Sequence, residues 1–257
     1  MKLSPSIVAV ALAALLGVTA QAQESSLDDV MKAGVLRACT PGDYKPFSFL
    51  RADGAFEGLD VDLAQSLAAA LGARLELVKT SWANLLPDFG AGKCDVAIGG
   101  ISVTTERQKR VFFSSAYMVN GKTPLARCED VAKYQSVADI DKAGVRAIAN
   151  PGGSNERFAR ANFKTATLTI HADNLTIFDE LLARRADVFV TEAAETLVQQ
   201  KLRPGLCAVN PDRPLQYGEM AWMLPRNDMV MKGFVDQWLH LAKASGEYQR
   251  TADKWLR

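Results

Sequence analysis

From Val35 onward the chain keeps repeating one unit: a short apolar run, a turn of glycine or polar residues, then a stretch with helical periodicity. No other feature constrains the fold as much, because a strand followed by a helix returns to its sheet as a parallel neighbour. Val35–Thr40 reads as a strand. Asp60 caps a helix over residues 60–71, with Leu63, Leu67 and Leu71 on one stripe and Gly72 as its stop. Residues 75–78 form the next strand, 82–89 a short helix, and 95–99 a third strand that runs into GGIS. A second series starts after Lys122. It has a strand at 145–149, then NPGGSNERFARANF, a glycine turn that opens a helix, and a short β-like run at 168–171. Asn174 caps a helix with Ile177, Phe178, Leu181 and Leu182 turned inward, and 186–191 is a strand. EMAWMLP reads as one more strand, and Phe234, Trp238 and Leu241 mark a C-terminal helix. The expectation is an α/β protein of two lobes, each a mostly parallel sheet flanked by helices.

Parallel sheets bind ligands outside the carboxyl ends of their strands. GGIS, NPGGSN and TEAAE all stand at such ends. Three strand-to-helix turns converging on one cleft say more than any one of them. The last turn carries Glu192 and Glu195, three apart and therefore on one helical face. They cap the helix, hold a cationic ligand, or move a proton.

Residues 1–22 read as a cleaved leader: Lys2, an apolar run over 7–16, and the small-x-small site Ala20-Gln21-Ala22. The run is too short to span a bilayer, and no later stretch reaches that length, so no membrane insertion is expected. Export permits disulfides. Cys128 and Cys207 sit in polar, turn-like sequence and are expected to bridge, whereas Cys39 and Cys94 lie in apolar runs and read as small core residues. With 30 basic against 29 acidic residues and no basic stripe, nucleic acid is excluded as a partner. No Cys or His pair has metal-ligand spacing, so no metal site is expected, and His171 and His240 read as structural.

The stretches TPGDYKPFSF, GLDVDLAQSLA, TSWANLLPDF, CDVAIGGISVTTERQ, NPGGSNERFA and AWMLPRND resemble, in this order, the periplasmic amino-acid-binding proteins of Venus-flytrap type. The resemblance implies a chain that crosses between lobes twice. Lobe one would hold 23–124 and 217–257, and lobe two 125–216. GDYKPFS, GKTP, LCAV and VDQWLH resemble one branch more closely, the periplasmic cyclohexadienyl dehydratases. That branch implies a cofactor-free lyase that turns prephenate into phenylpyruvate, or arogenate into phenylalanine, with loss of water and carbon dioxide.

Each candidate residue has a plain reading beside its functional one. By resemblance Arg107 forks onto the substrate's side-chain carboxylate; otherwise it is a surface arginine in TTERQKR. Ser154 and Asn155 open a helix whose free N–H groups attract an anion or simply form a cap. Ser102, Gly100 and Asn150 add donors. Tyr44 and Trp82 wall a flat slot, with Phe47 read as core. Lys122 attracts a carboxylate or the departing hydroxyl, or else faces solvent at a hinge. Glu192 stands where binding proteins keep an Asp for the ligand's ammonium. Glu195 matches the branch's proton donor, which requires burial and like charge to raise its pKa. The alternative function is a non-catalytic amino-acid carrier for a transporter. The ligand is a small molecule in both cases, and a homo-oligomer is left open.

Overall fold

The computed structural model describes residues 25–257, so the leader expected at residues 1–22 lies outside the described residues. In strand β1 (Val35–Thr40) Leu36, Ala38 and Cys39 are fully buried. The short strands β2 (Asp43–Tyr44), β3 (Ser48–Leu50) and β4 (Phe56–Glu57) fold into a small antiparallel sheet beside it. Strands β5 (Arg74–Lys79) and β6 (Val96–Ala97) flank β1 in parallel, as the alternating pattern requires, and β7 (Phe112–Phe113) lies at the edge of that sheet.

The long strand β8 (Met118–Arg127) opens the second sheet, which continues with β9 (Arg146–Ala149), β10 (Thr167–Ile170), β11 (Val188–Glu192) and β12 (Leu206–Ala208). Here β9 pairs in parallel with β10 and β11, while β8 runs antiparallel to β11 and β12. Strand β13 (Gln216–Met220) pairs antiparallel with the first half of β8, and β14 (Met223–Leu224) returns to the first sheet between β6 and β7. The architecture is thus two α/β lobes with mixed sheets, whose antiparallel members are the strands that carry the chain between lobes. EMAWMLP is two strands rather than one for this reason: its halves belong to different sheets.

The helix Leu59–Ala70 buries Leu63 and Leu67 against the first sheet, each worth roughly 1.5–3 kcal/mol. Its cap is Gly58, not Asp60. At φ 140°, a Cβ on Gly58 would stand 2.3 Å from the Phe47 carbonyl oxygen, so only glycine fits there. The Asp60 side chain turns inward instead. The helix Leu85–Gly90 starts three residues later than expected, leaving Trp82 in the preceding turn. Asn174 does not cap the helix Ile177–Leu182; Thr176 holds that position, and the Asn174 amide donates across the lobes to the Asp43 carbonyl at 3.0 Å. Leu182 is left partly exposed. In the helix Met229–Ala244 the buried stripe is Met231, Val235, Trp238, Leu239 and Ala242, so Leu241 falls off it and faces solvent. No described helix is long and apolar enough to cross a membrane.

Cys128 and Cys207 form a disulfide, as expected. Cys39 and Cys94 form a second one, which corrects their reading as plain core residues. Both are buried, but the parallel pairing of β1 with β6 sets Cys39 opposite Ala97 and brings Cys94 alongside.

Candidate active site

The GGIS turn closes the first sheet at the cleft. Buried Asp60 fixes it by accepting the N–H groups of Gly99 and Gly100 at 2.6 and 2.8 Å and the Tyr117 hydroxyl at 3.0 Å. Burial raises the Asp60 pKa to about 6, against the pull of those same donors. Gly100 has φ 71°, and a Cβ there would lie 2.5 Å from the Tyr44 ring, so its glycine lets the aromatic wall approach. The wall is Tyr44 edge-on to Trp82, centroids 5.6 Å apart, with fully buried Phe47 behind. Trp82 is pinned by its Nε1–H, which donates to Asp43 Oδ1 at 2.9 Å. Tyr44, Trp82, Gly100, Ser102, Asn150, Ser154, Asn155 and Glu192 all line one narrow cleft. Two polar atoms in it, the Tyr44 hydroxyl and Asn174 Oδ1, are buried with no partner in hydrogen-bond geometry among the described residues, the Thr191 hydroxyl lying near the first.

Across the cleft the residues of the second lobe form one network. Lys122 Nζ donates to Glu192 Oε1 at 2.6 Å, to Asn155 Oδ1 at 2.5 Å and to Ser154 Oγ at 2.9 Å. An ammonium has three hydrogens, so all are engaged with protein. The first lobe joins through Ser102, whose hydroxyl donates to Glu192 Oε1 at 2.6 Å and lies 3.0 Å from Ser154 Oγ. These bonds hold the lobes together.

Glu192 ends β11 and holds the N-cap position of the helix Ala193–Leu202, so it does not share a helical face with Glu195 as expected, and its side chain makes no capping bond to the helix. Asn120 does that work, its Oδ1 accepting the Ala194 N–H at 3.2 Å. The two carboxyl groups have opposite fates. Burial alone would raise Glu192, yet the adjacent Lys122 charge and the hydrogen bonds from Lys122 and Ser102 carry its pKa below the ordinary value. Glu195 is 1 % exposed and has no cation in contact among the described residues. Burial pushes its pKa up to about 8, with the charges of Asp43 and Glu192 adding, while a hydrogen bond from Thr191 opposes. A pair of carboxyls split in this way is the arrangement by which one site supplies both an acid and an anion at neutral pH.

Arg107 is buried on the helix Thr105–Gln108, just behind Ser102, and donates Nη1–H to the Ser102 carbonyl at 2.8 Å. Burial lowers its pKa to about 10, so it stays cationic at neutral pH. It makes no ion pair among the described residues, and its remaining donors are free for an anion. The Cys128–Cys207 bridge lies beyond the far end of β8 and takes no part in the cleft.

Four site residues are not singled out by the sequence: Asp43, Asn120, Asn174 and Thr191. Asn174 carries a helix-cap signal that the structure does not honour, and Thr191 a strand signal that it does, though neither signal points to the contacts these side chains make. Their contacts run between segments far apart in the chain, where periodicity carries no information.

The profile of the family described as bacterial extracellular solute-binding proteins, family 3, matches residues 36–257. The chain is 48% identical over 245 residues to a cyclohexadienyl dehydratase of Pseudomonas aeruginosa, covering 95% of this chain and 91% of that protein. Among solved structures it resembles an ancestral amino-acid-binding protein described as a precursor of cyclohexadienyl dehydratase, with a TM-score of 0.84 at 33% identity over 91% of this chain and 100% of that one. An ancestral cyclohexadienyl dehydratase matches with a TM-score of 0.59 at 45% identity over 92% of this chain and 98% of that one.

Proposed function

The chain belongs to the bacterial extracellular solute-binding proteins, family 3, in their cyclohexadienyl dehydratase branch, and from that premise we propose how its cleft performs a dehydration. It is a lyase on a binding-protein scaffold. The observation that carries the mechanism is Glu195, a buried carboxyl group held neutral up to about pH 8, three residues from a carboxylate held charged. A carrier that only grips its cargo has no use for such an acid.

Our reading takes prephenate as the substrate. Hydroxide leaves poorly, so Glu195 gives its proton to the ring hydroxyl as the carbon–oxygen bond breaks. The ring carboxylate departs as carbon dioxide, and its bonding electrons complete the aromatic ring. Glu195 is left as a carboxylate and regains a proton from solvent when the lobes part. The side-chain carboxylate survives the reaction, and Arg107 with the N–H groups opening the helix Ser154–Asn162 is suited to hold it. The ring carboxylate is better set against the Tyr44 and Trp82 wall, since a salt bridge there would stabilise the ground state more than the transition state. Glu192 Oε1 is already engaged by Lys122 and Ser102, which weakens its charge towards an ammonium and favours prephenate over arogenate.

The Met118–Lys122 and Gln216–Met220 ribbon would serve as the hinge, because both chain crossings adjoin it. Closure excludes water and assembles the site. The leader and the two disulfides support export to the periplasm. The test is spectrophotometric: phenylpyruvate formation from prephenate by the purified chain and by Glu195→Gln. Turnover by the parent, with the Gln variant binding prephenate but nearly inactive, is expected. A Gln variant at the parent rate overturns the acid assignment, and a parent that binds amino acids without turning over prephenate is a carrier.

A further inference from the structure

We propose that Thr191 is a positioning residue for Glu195: its hydroxyl occupies one carboxyl oxygen and leaves the transferable proton on the other. This rests on the reading of Glu195 as the acid. Thr191 is fully buried at the end of β11, and its Oγ1 lies 2.5 Å from Glu195 Oε2.

The direction of that bond is fixed from the far end of the network. Lys122 has only hydrogens to offer, so the Asn155 atom 2.5 Å away must be its amide oxygen. The Asn155 amide nitrogen therefore faces the other way. It donates one hydrogen to Asn150 Oδ1 at 3.1 Å and the other to Thr191 Oγ1 at 3.1 Å. Thr191 Oγ1 is thus an acceptor towards Asn155, and its own hydrogen has two oxygens nearby, the Tyr44 hydroxyl and Glu195 Oε2, of which only the carboxyl oxygen, at 2.5 Å, meets it in hydrogen-bond geometry. A neutral Glu195 then carries its proton on Oε1, the oxygen with no hydrogen-bond partner among the described residues. The chain Lys122–Asn155–Thr191 so selects which oxygen of the acid is armed.

The same bond assists the reaction. When the Oε1–H bond breaks, charge develops on the carboxyl group, and the Thr191 hydrogen bond becomes charge-assisted, roughly twice as strong as before. It is stronger in the transition state than in the ground state, which is the condition for raising kcat. The other titratable or charged groups around Glu195 are Asp43, Tyr44, Glu192 and Lys122. Of these, Tyr44 lies near the Thr191 hydroxyl and Lys122 is linked to it through Asn155, while Asp43 and Glu192 make no bond to Thr191 among the described residues.

The experiment compares Thr191→Val, Thr191→Ser and Glu195→Gln with the parent in prephenate turnover across pH. Thr191→Val keeps the shape and removes the donor. Its kcat is expected to fall by roughly tenfold or more with KM nearly unchanged, and its alkaline limb to move to higher pH, because a bond that favours the ionised acid is gone. Thr191→Ser is expected to restore both rate and limb. A Val variant with the parent's kcat and limb overturns the proposal, as does a loss of kcat with an unmoved limb, or a Ser variant as impaired as Val. Glu195→Gln separates the two ideas. If it is inactive while Thr191→Val is unperturbed, the positioning role alone fails; if it is active, the acid assignment fails first.

Discussion

Lys122 Nζ and Glu192 Oε1 are 2.6 Å apart, and both side chains are buried, at 7 and 5 % exposure. Such a pair is held by mutual need, since either charge alone would face a large desolvation cost. Lys122→Met should therefore destabilise the fold by about 3–5 kcal/mol in urea titrations. Lys122→Met with Glu192→Gln should recover most of that stability while remaining slow on prephenate, because Asn155 has lost its anchor. A single variant as stable as the parent would mean that the pair carries no such weight.

Arg107 should act on binding. Its free donors suit a carboxylate, and a hydrogen bond to a charged group contributes roughly 1.5–3 kcal/mol. Arg107→Ala is expected to weaken prephenate binding by about ten- to a hundredfold with a much smaller change in kcat. Calorimetric titration of the variant, beside steady-state kinetics, checks both halves.

Glu195 gives stability a pH dependence with a definite sign. Its folded pKa, about 8, is above the ordinary glutamate value, so the folded chain holds a proton that the unfolded chain releases first. The contribution is complete below the unfolded pKa, roughly 4.3, and is lost progressively as pH rises towards 8. Glu195→Gln removes this term. Its melting temperature should match the parent's near pH 4 and exceed it increasingly up to pH 8, by an amount equivalent to a few kcal/mol. Parallel melting curves that never diverge would count against a buried neutral acid.

The Asp60 carboxylate anchors the GGIS turn through two backbone N–H groups. Asp60→Ala leaves those donors buried without an acceptor, at a cost of about 1–3 kcal/mol each. The turn also carries Ser102 and backs Tyr44, so KM should rise together with the loss of stability. Chemical unfolding and prephenate kinetics on the same preparation check this, and a stable variant with the parent's KM would show that the turn holds itself.

Much of the site was legible because each position carries a local signal. Glycines before a helix, the serine of GGIS and an arginine five residues later are patterns in sequence; Ser102, Ser154 and Asn155 line the cleft, and Arg107 is buried behind Ser102. Asp60 and Asn174 show the limit of such signals. Each stands where a cap is chemically reasonable, yet the Asp60 carboxylate and the Asn174 amide bond instead to groups 40 and 131 residues away. A side chain that can cap locally will turn to a distant partner when packing brings one that is better shielded from water.

The amino-acid order by itself determined the alternation of strands and helices, the three turns at the strand ends, and the placing of two glutamates on either side of one strand-to-helix turn, because these depend on spacing within a few residues. It did not determine what those glutamates are. Glu192 is charged because Lys122 and Ser102 reach it from other segments, and Glu195 is neutral because the folded lobes keep water and cations from it. A protonation state is set by the dielectric and the charges within a few ångströms in space, and only the tertiary structure decides what those are.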